Sequence, residues 1–187
     1  MGVIYMKILN FGSLNIDYVY SVDHFVQKGE TISSSQMNIF SGGKGLNQST
    51  ALGRAGAQVF HAGRIGKGGE FLVEQLKEAG VNTDLVVLDS QCSTGHAIIQ
   101  NDAEGDNCIL LYGGANQRIT KEQIDATLDQ FDAGDYLVLQ NETSNLPYLM
   151  EKAAEKQMKI VLNPSPMDEK IKALPLDKVT LFFVNEI

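Results

Sequence analysis

"KILNFGS", residues 7–13, is a short apolar run stopped by Gly12 and Ser13, and the same design returns in "QVFHAGRIG" (58–66), "DYLVLQN" (135–141), "MKIVLNP" (158–164) and "VTLFFVN" (179–185). Each is an apolar run closed by Gly, Asn or Pro, as strands buried on both faces are. Helical patterns lie between them. Leu72, Leu76 and Ala79 in "GEFLVEQLKEAG", and Leu146, Leu149, Met150, Ala153 and Ala154 in "NLPYLMEKAAEKQ", recur at spacings of three and four, so one face of each packs on the sheet. With no repeat, low-complexity tract or linker to interrupt it, this alternation predicts one α/β domain, a three-layer sandwich around a mainly parallel, Rossmann-like sheet.

Two regions break the rhythm. "IDYVYSVDHF" (16–25) and "TISSSQMNIF" (31–40) alternate with period two and are joined through Gly29, while "TGHAIIQNDAEGDNCILLYGG" (94–114) reads as a hairpin turning at Ala103-Glu104-Gly105-Asp106. These segments, at about 16–40 and 94–114, predict a small antiparallel β lid over the carboxyl ends of the core strands, where α/β sheets bind ligands.

The totals fit a soluble small-molecule protein. Of 187 residues, 43% are hydrophobic and 20% charged, and the net charge of −8 is spread along the chain with no Lys/Arg run, which argues against a nucleic-acid partner. The start, "MGVIYMKILNFGS", has no targeting signal, and no window nears the roughly 18 apolar residues of a membrane span, so a cytoplasmic location without membrane contact is expected. Cys92 and Cys108 lack metal or redox spacing and read as reduced thiols. His24, His61 and His96 are scattered without a ligand pattern. "DAEGDN" is superficially like a calcium loop but lacks the required glycine and distal glutamate.

The polar chemistry concentrates in "SGGKGLNQST" (41–50). It is no Walker A loop, because Lys44 is followed by Gly45 and position 38 is Asn; nor is it a dinucleotide fingerprint, because the first strand ends in "GSLNID". Gly42, Gly43 and Gly45 let backbone approach a ligand and deliver free N–H groups at the start of a helix. Lys44 adds three donors, and Asn47, one turn on, offers a donor and an acceptor. The set suits a polyhydroxylated molecule; a tight strand-to-helix turn with a solvated lysine is the plainer alternative. In "GSLNID", Asn15 and Asp17 stand two apart at the start of a lid strand and share a face. A carboxylate accepting from hydroxyls beside an amide is equipment for a sugar, with local turn chemistry as the alternative.

Taken together, Gly12-Ser13-Leu14-Asn15-Ile16-Asp17 and Gly42-Gly43-Lys44-Gly45-Leu46-Asn47-Gln48 resemble the G-S-x-N-x-D and G-G-K-G-x-N-Q motifs of the ribokinase family of sugar kinases, in order and at that family's separation. Further matches are "AGRIG" (62–66), "STG" (93–95), "GGAN" (113–116), "LQNE" (139–142), "LNPSP" (162–166) and "VNE" (184–186). The resemblance implies ATP-dependent phosphorylation of a sugar hydroxyl, D-ribose first because Lys44 and Gln48 look most like the ribose-specific members. Another carbohydrate or nucleoside kinase, or a non-catalytic sugar-binding module, is the alternative. It implies that Asn15, Asp17, Gly43, Lys44, Gly45, Asn47 and Glu142 bind the sugar, although Glu142 also fits a buried structural ion pair. Asn185 matches an asparagine on the ATP phosphate and magnesium side, while Glu186 is out of step with the family's N-x-x-E. The family's D-T-x-G-A-G-D segment, bearing the general-base aspartate and anion hole, does not occur in these residues. The resemblance therefore implies an N-terminal part that holds no catalytic base, lacks the C-terminal ATP-binding half and is inactive by itself. It further implies use of ATP, Mg2+ and a monovalent cation such as K+, and a homodimer formed through the lid.

Overall fold

The computed structural model describes residues 6–184. In chain order it forms β1 (Ile8–Phe11), β2 (Asn15–Ser21), β3 (Gln36–Gly42), α1 (Lys44–Arg54), β4 (Val59–Lys67), α2 (Glu70–Glu78), β5 (Asn82–Ser93), β6 (Gly95–Asn101) and β7 (Asn107–Tyr112). A 3-10 turn at Gly114–Arg118 leads to α3 (Lys121–Leu128), β8 (Tyr136–Gln140), α4 (Leu146–Glu155), β9 (Lys159–Asn163) and β10 (Val179–Phe182).

The core sheet runs β10-β9-β8-β1-β4-β5 and its pairings are parallel. Alternation along β1 sends Leu9 and Phe11 to one face, where they meet Leu137, Leu139, Ile160 and Leu162 under Ile124 of α3 and Leu149 and Met150 of α4. On the other face Leu46 of α1 and Leu72 and Leu76 of α2 pack on Val59 and Ile65. Burying each such side chain contributes roughly 1.5–3 kcal/mol, so the apolar stripes predicted for α2 and α4 are what hold the outer layers on. The three-layer sandwich is as expected. The α1/α2 layer ends at α1, however, leaving beside it an apolar concavity of about 320 Å3 lined by Ile8, Val138, Val161, Leu181 and Phe183 among others.

The lid differs from expectation in one respect. Within each hairpin the strands are antiparallel, β2 with β3 and β6 with β7, yet the hairpins join through a parallel β2–β6 ladder running from Asn15↔Gly95 to Ser21↔Asn101. The sheet is therefore mixed. The cause lies in the core: β1 and β5 are parallel, β2 and β6 leave their same ends, and so the two lid strands must point the same way. The first hairpin is also shorter than predicted, its long connection between Ser21 and Gln36 including Gly29 at φ +81. The second turns where expected, with Asp102 Oδ1 accepting from the N–H groups of Glu104 and Asp106 at 3.0 and 2.9 Å. That carboxylate oxygen serves as a turn brace.

Candidate functional site

β1 feeds toward β4 on one side and β8 toward β9 on the other, so the crevice at their carboxyl ends is the topological switch point of the sheet. Ser13 and Glu142 stand at those two ends. The Glu142 side chain is only 7% exposed, and its carboxylate accepts from the Ser13 hydroxyl, from the Lys44 backbone N–H at 3.1 Å and from Lys44 Nζ at 2.8 Å. Gly45 N–H donates to Ser13 Oγ at 3.2 Å and Leu46 N–H to Ser13 O at 3.0 Å. The first turn of α1 thus has its free N–H groups met by the end of β1 and by a carboxylate, which the positive end of the helix dipole also favours.

The glycines explain how the helix comes so near. Gly43 has φ +96, a conformation that side chains avoid. A Cβ on Gly45 would lie 2.4 Å from Ser13 N and 2.6 Å from Gly12 Cα, and one on Gly42 would lie 2.2 Å from Asp17 Oδ2. The sequence reading gave these glycines to a ligand; in the structure Gly42 and Gly45 serve close approach inside the protein. Gln48 also turns inward, accepting from Gln140 Nε2 at 2.7 Å.

Asn15 and Asp17 share a face of β2, as predicted. Asn15 is 4% exposed, while Asp17 is half-buried, and no side chain among the described residues donates to its carboxylate. Burial raises the Asp17 pKa, the nearby Glu142 charge raises it further, and Lys44 pulls the other way. Asp17, Lys44 and Glu142 therefore share one electrostatic neighbourhood. Asn47 stands on the exposed side of α1, and Asn185 lies outside the described residues.

A cleft of about 330 Å3, at the small end of ligand pockets, opens beside this cluster. Asn15 and Glu142 line it with residues the sequence did not single out, including Asn116, Gln117, Asn141 and Asp168. Gln117 Nε2 donates to Glu142 O at 2.8 Å, and Asn141 Nδ2 donates to Pro166 O at 2.7 Å and Asp168 Oδ1 at 3.0 Å. The 3-10 turn bearing Asn116 is held by Arg118, whose Nε donates to Asp89 Oδ2 at 2.8 Å beside Arg64 at 3.1 Å. Arg118 holds the Asp89 carboxyl well below the usual range.

Under α1 the strands carry a polar row. Gln140 Nε2 donates to Asn10 Oδ1 at 2.9 Å, Asn10 Nδ2 donates to Gly45 O at 3.0 Å, and Ser49 Oγ lies 2.7 Å from His61 Nδ1. Burial pushes the His61 pKa down to about 4, so the ring stays neutral. His61 is a core residue, fully buried under α1. Among the described residues, no group of three His, Cys, Asp or Glu is placed to hold a metal, and no helix is long and apolar enough to cross a membrane.

Comparison with known proteins places this geometry. The profile of the pfkB family carbohydrate kinases matches residues 6–187. A ribokinase of Staphylococcus aureus is 34% identical over 94% of this chain and 58% of its own length, and a ribokinase of Bacillus subtilis is 33% identical over 94% and 60%. The chain thus spans a little over half the length of these relatives. The crystal structure of a Cryptococcus neoformans ribokinase in complex with ADP superposes with a TM-score of 0.81 at 36% identity, covering 95% of this chain and 57% of that one. With the profile matched along the described core, lid and cleft alike, the chain belongs to the pfkB family of carbohydrate kinases.

Proposed function

We propose that residues 6–184 form the sugar-binding part and lid of an ATP-dependent sugar kinase, with D-ribose as the acceptor and ribose 5-phosphate as the product. The observation that carries this reading is the convergence of Asn15, Asp17, Lys44 and Glu142 around Ser13 at the switch point of the sheet. Asp17 has a carboxylate free to accept from hydroxyls, and Lys44 Nζ keeps two donors beyond the one given to Glu142. Gly43 and Gly45 bring the start of α1 to this point, and Asn47 completes the ligand side of the helix. Phosphoryl transfer asks a protein mainly to position the acceptor and stabilise spread charge. These residues would supply acceptor positioning, and the lid would exclude water. ATP would be the donor, with Mg2+ and a monovalent cation such as K+, held by the family's further segments and on the side of Asn185. The cytoplasm is the proposed location.

Asp17→Asn is the direct test. Loss of the carboxylate should weaken D-ribose binding by about 1.5–3 kcal/mol, the range for hydrogen bonds to charged groups, while leaving nucleotide affinity unchanged. Because the Asp17 pKa is raised and the ionised form is the acceptor, ribose affinity should fall with decreasing pH from above the ordinary aspartate range. Calorimetry on wild type and variant across pH reads both effects, and an unchanged ribose affinity in the variant would remove Asp17 from the site.

We further propose a homodimer through the lid. Ile39 and Leu110 of the lid are 54% and 68% exposed, and a four-stranded sheet with apolar residues on both faces needs a second layer. Light scattering should give twice the monomer mass at high micromolar concentration; a monomer there would contradict the proposal.

A further inference from the structure

We propose that Asn116 fixes Asn15 as a hydrogen-bond donor toward the cleft, so that Asn15 and Asp17 read neighbouring ligand oxygens with opposite polarity. The inference rests on the sugar-site reading and sharpens it: Asn116 becomes a positioning residue that sets which atoms the ligand must present.

The argument starts from the backbone, where donor and acceptor are not in question. Leu14 N–H can only donate, and its partner on Asn116, at 3.0 Å, is therefore Oδ1. Leu14 C=O can only accept, and its partner at 3.2 Å is Asn116 Nδ2. Both ends of the Asn116 amide are thereby assigned. Its Nδ2 also lies 2.8 Å from the Asn15 side chain and donates there, so the Asn15 atom it meets is Oδ1. Asn116 is 1% exposed, and Arg118, two residues on, ties the same turn to Asp89, so this clamp is not free to swing. Gly95 closes the other side: a Cβ there would lie 2.4 Å from Asn15 Oδ1, which packs the oxygen against the Gly95 backbone. What remains is Asn15 Nδ2, which belongs to a residue lining the cleft and makes no hydrogen bond to the described residues.

Asn15 therefore asks for a lone pair and Asp17 asks for a proton. A ligand hydroxyl satisfies either, but its replacements do not. A C–F group keeps a weak acceptor and has no donor, whereas C–H has neither. Calorimetry of the protein with D-ribose and its monodeoxy and monodeoxyfluoro derivatives separates the two positions. At the position facing Asn15, the deoxy compound should bind about tenfold more weakly than ribose, with most of that loss recovered by the fluoro compound. In Asn15→Ala the recovery should vanish. At the position facing Asp17 the fluoro compound should be no better than the deoxy compound.

Asn116→Asp gives an independent measurement. It keeps the acceptor for Leu14 N–H but replaces Nδ2 by oxygen, which obliges the Asn15 amide to turn its own Nδ2 inward. Ribose affinity should fall about tenfold, with little added by Asn15→Ala in the same chain. Should that variant not fold, the fluoro series on the wild-type protein still decides. Wild-type affinity in a folded Asn116→Asp, or a fluoro series with no recovery at any position, would overturn the inference while leaving the sugar site intact. If Asn15→Ala alone leaves ribose affinity unchanged, Asn15 is not in the sugar site and the inference falls with that part of the reading.

Discussion

Glu142→Ala should destabilise the fold by about 3 kcal/mol and abolish measurable sugar binding. The carboxylate accepts from Ser13 Oγ, Lys44 N–H and Lys44 Nζ, and so ties the end of β8 to the end of β1 and the start of α1. Hydrogen bonds to a charged group contribute about 1.5–3 kcal/mol each. The sum is smaller here, because the Lys44 side chain is 38% exposed and its ammonium regains water. Ser13 and the first amide of α1 recover less. Glu142→Gln keeps one oxygen acceptor and should lose about half as much. A second consequence follows from charge: Glu142 raises the Asp17 pKa, so Asp17 should titrate lower in the alanine variant. Urea unfolding gives the stability change and carboxyl NMR the titration. A loss under about 1 kcal/mol would show that Glu142 does not anchor α1.

Gly45→Ala should cost about 2 kcal/mol by a different route. Helix propensity alone favours alanine by about 1 kcal/mol, but the added methyl would stand 2.4 Å from Ser13 N and 2.6 Å from Gly12 Cα. Both are backbone atoms, with no side chain to swing aside. The helix must back away from β1, which breaks the Gly45 N–H to Ser13 bond and draws Lys44 off Glu142. Overpacking of this kind costs about 3 kcal/mol, and the net loss should be near 2. Thermal unfolding reads it. A variant as stable as wild type would mean that α1 is not seated against β1 as described.

How far the sequence revealed this follows from the range of each interaction. The apolar runs of β1, β4, β8 and β9 were legible because a buried parallel strand is largely apolar, and that of β10 because it too is an apolar run, although it is an edge strand with Leu181 and Phe182 about half exposed. β5 was not, because its apolar run is confined to Leu85, Val86, Val87 and Leu88 between Asp84 and Asp89, and the rest of this long strand is mostly polar. α3 was missed for a similar reason: its buried side is Ile124, Thr127 and Leu128, too thin a stripe to stand out. Asn15, Asp17, Lys44 and Glu142 were found through their motifs, and the structure gathers them at the switch point. Asn116 lay within "GGAN" without a role, since its work is done on Leu14 and Asn15, a hundred residues away in the chain. The polar row of Asn10, His61 and Gln140 was hidden inside runs that read as apolar, and only the overlying Gln48 and Ser49 explain it.

The parallel ladder between β2 and β6 bears on the order of folding. Its partners, from Asn15↔Gly95 onward, are about 80 residues apart, so neither hairpin can recruit the other without a long loop closure. Only when β1, β4 and β5 lie side by side are β2 and β6 delivered parallel and adjacent. The lid is therefore expected to assemble after the core and to take its register from it. A ligand gripped between lid and core, as proposed above, would act on that last step, so that saturating the site would also favour the assembled lid.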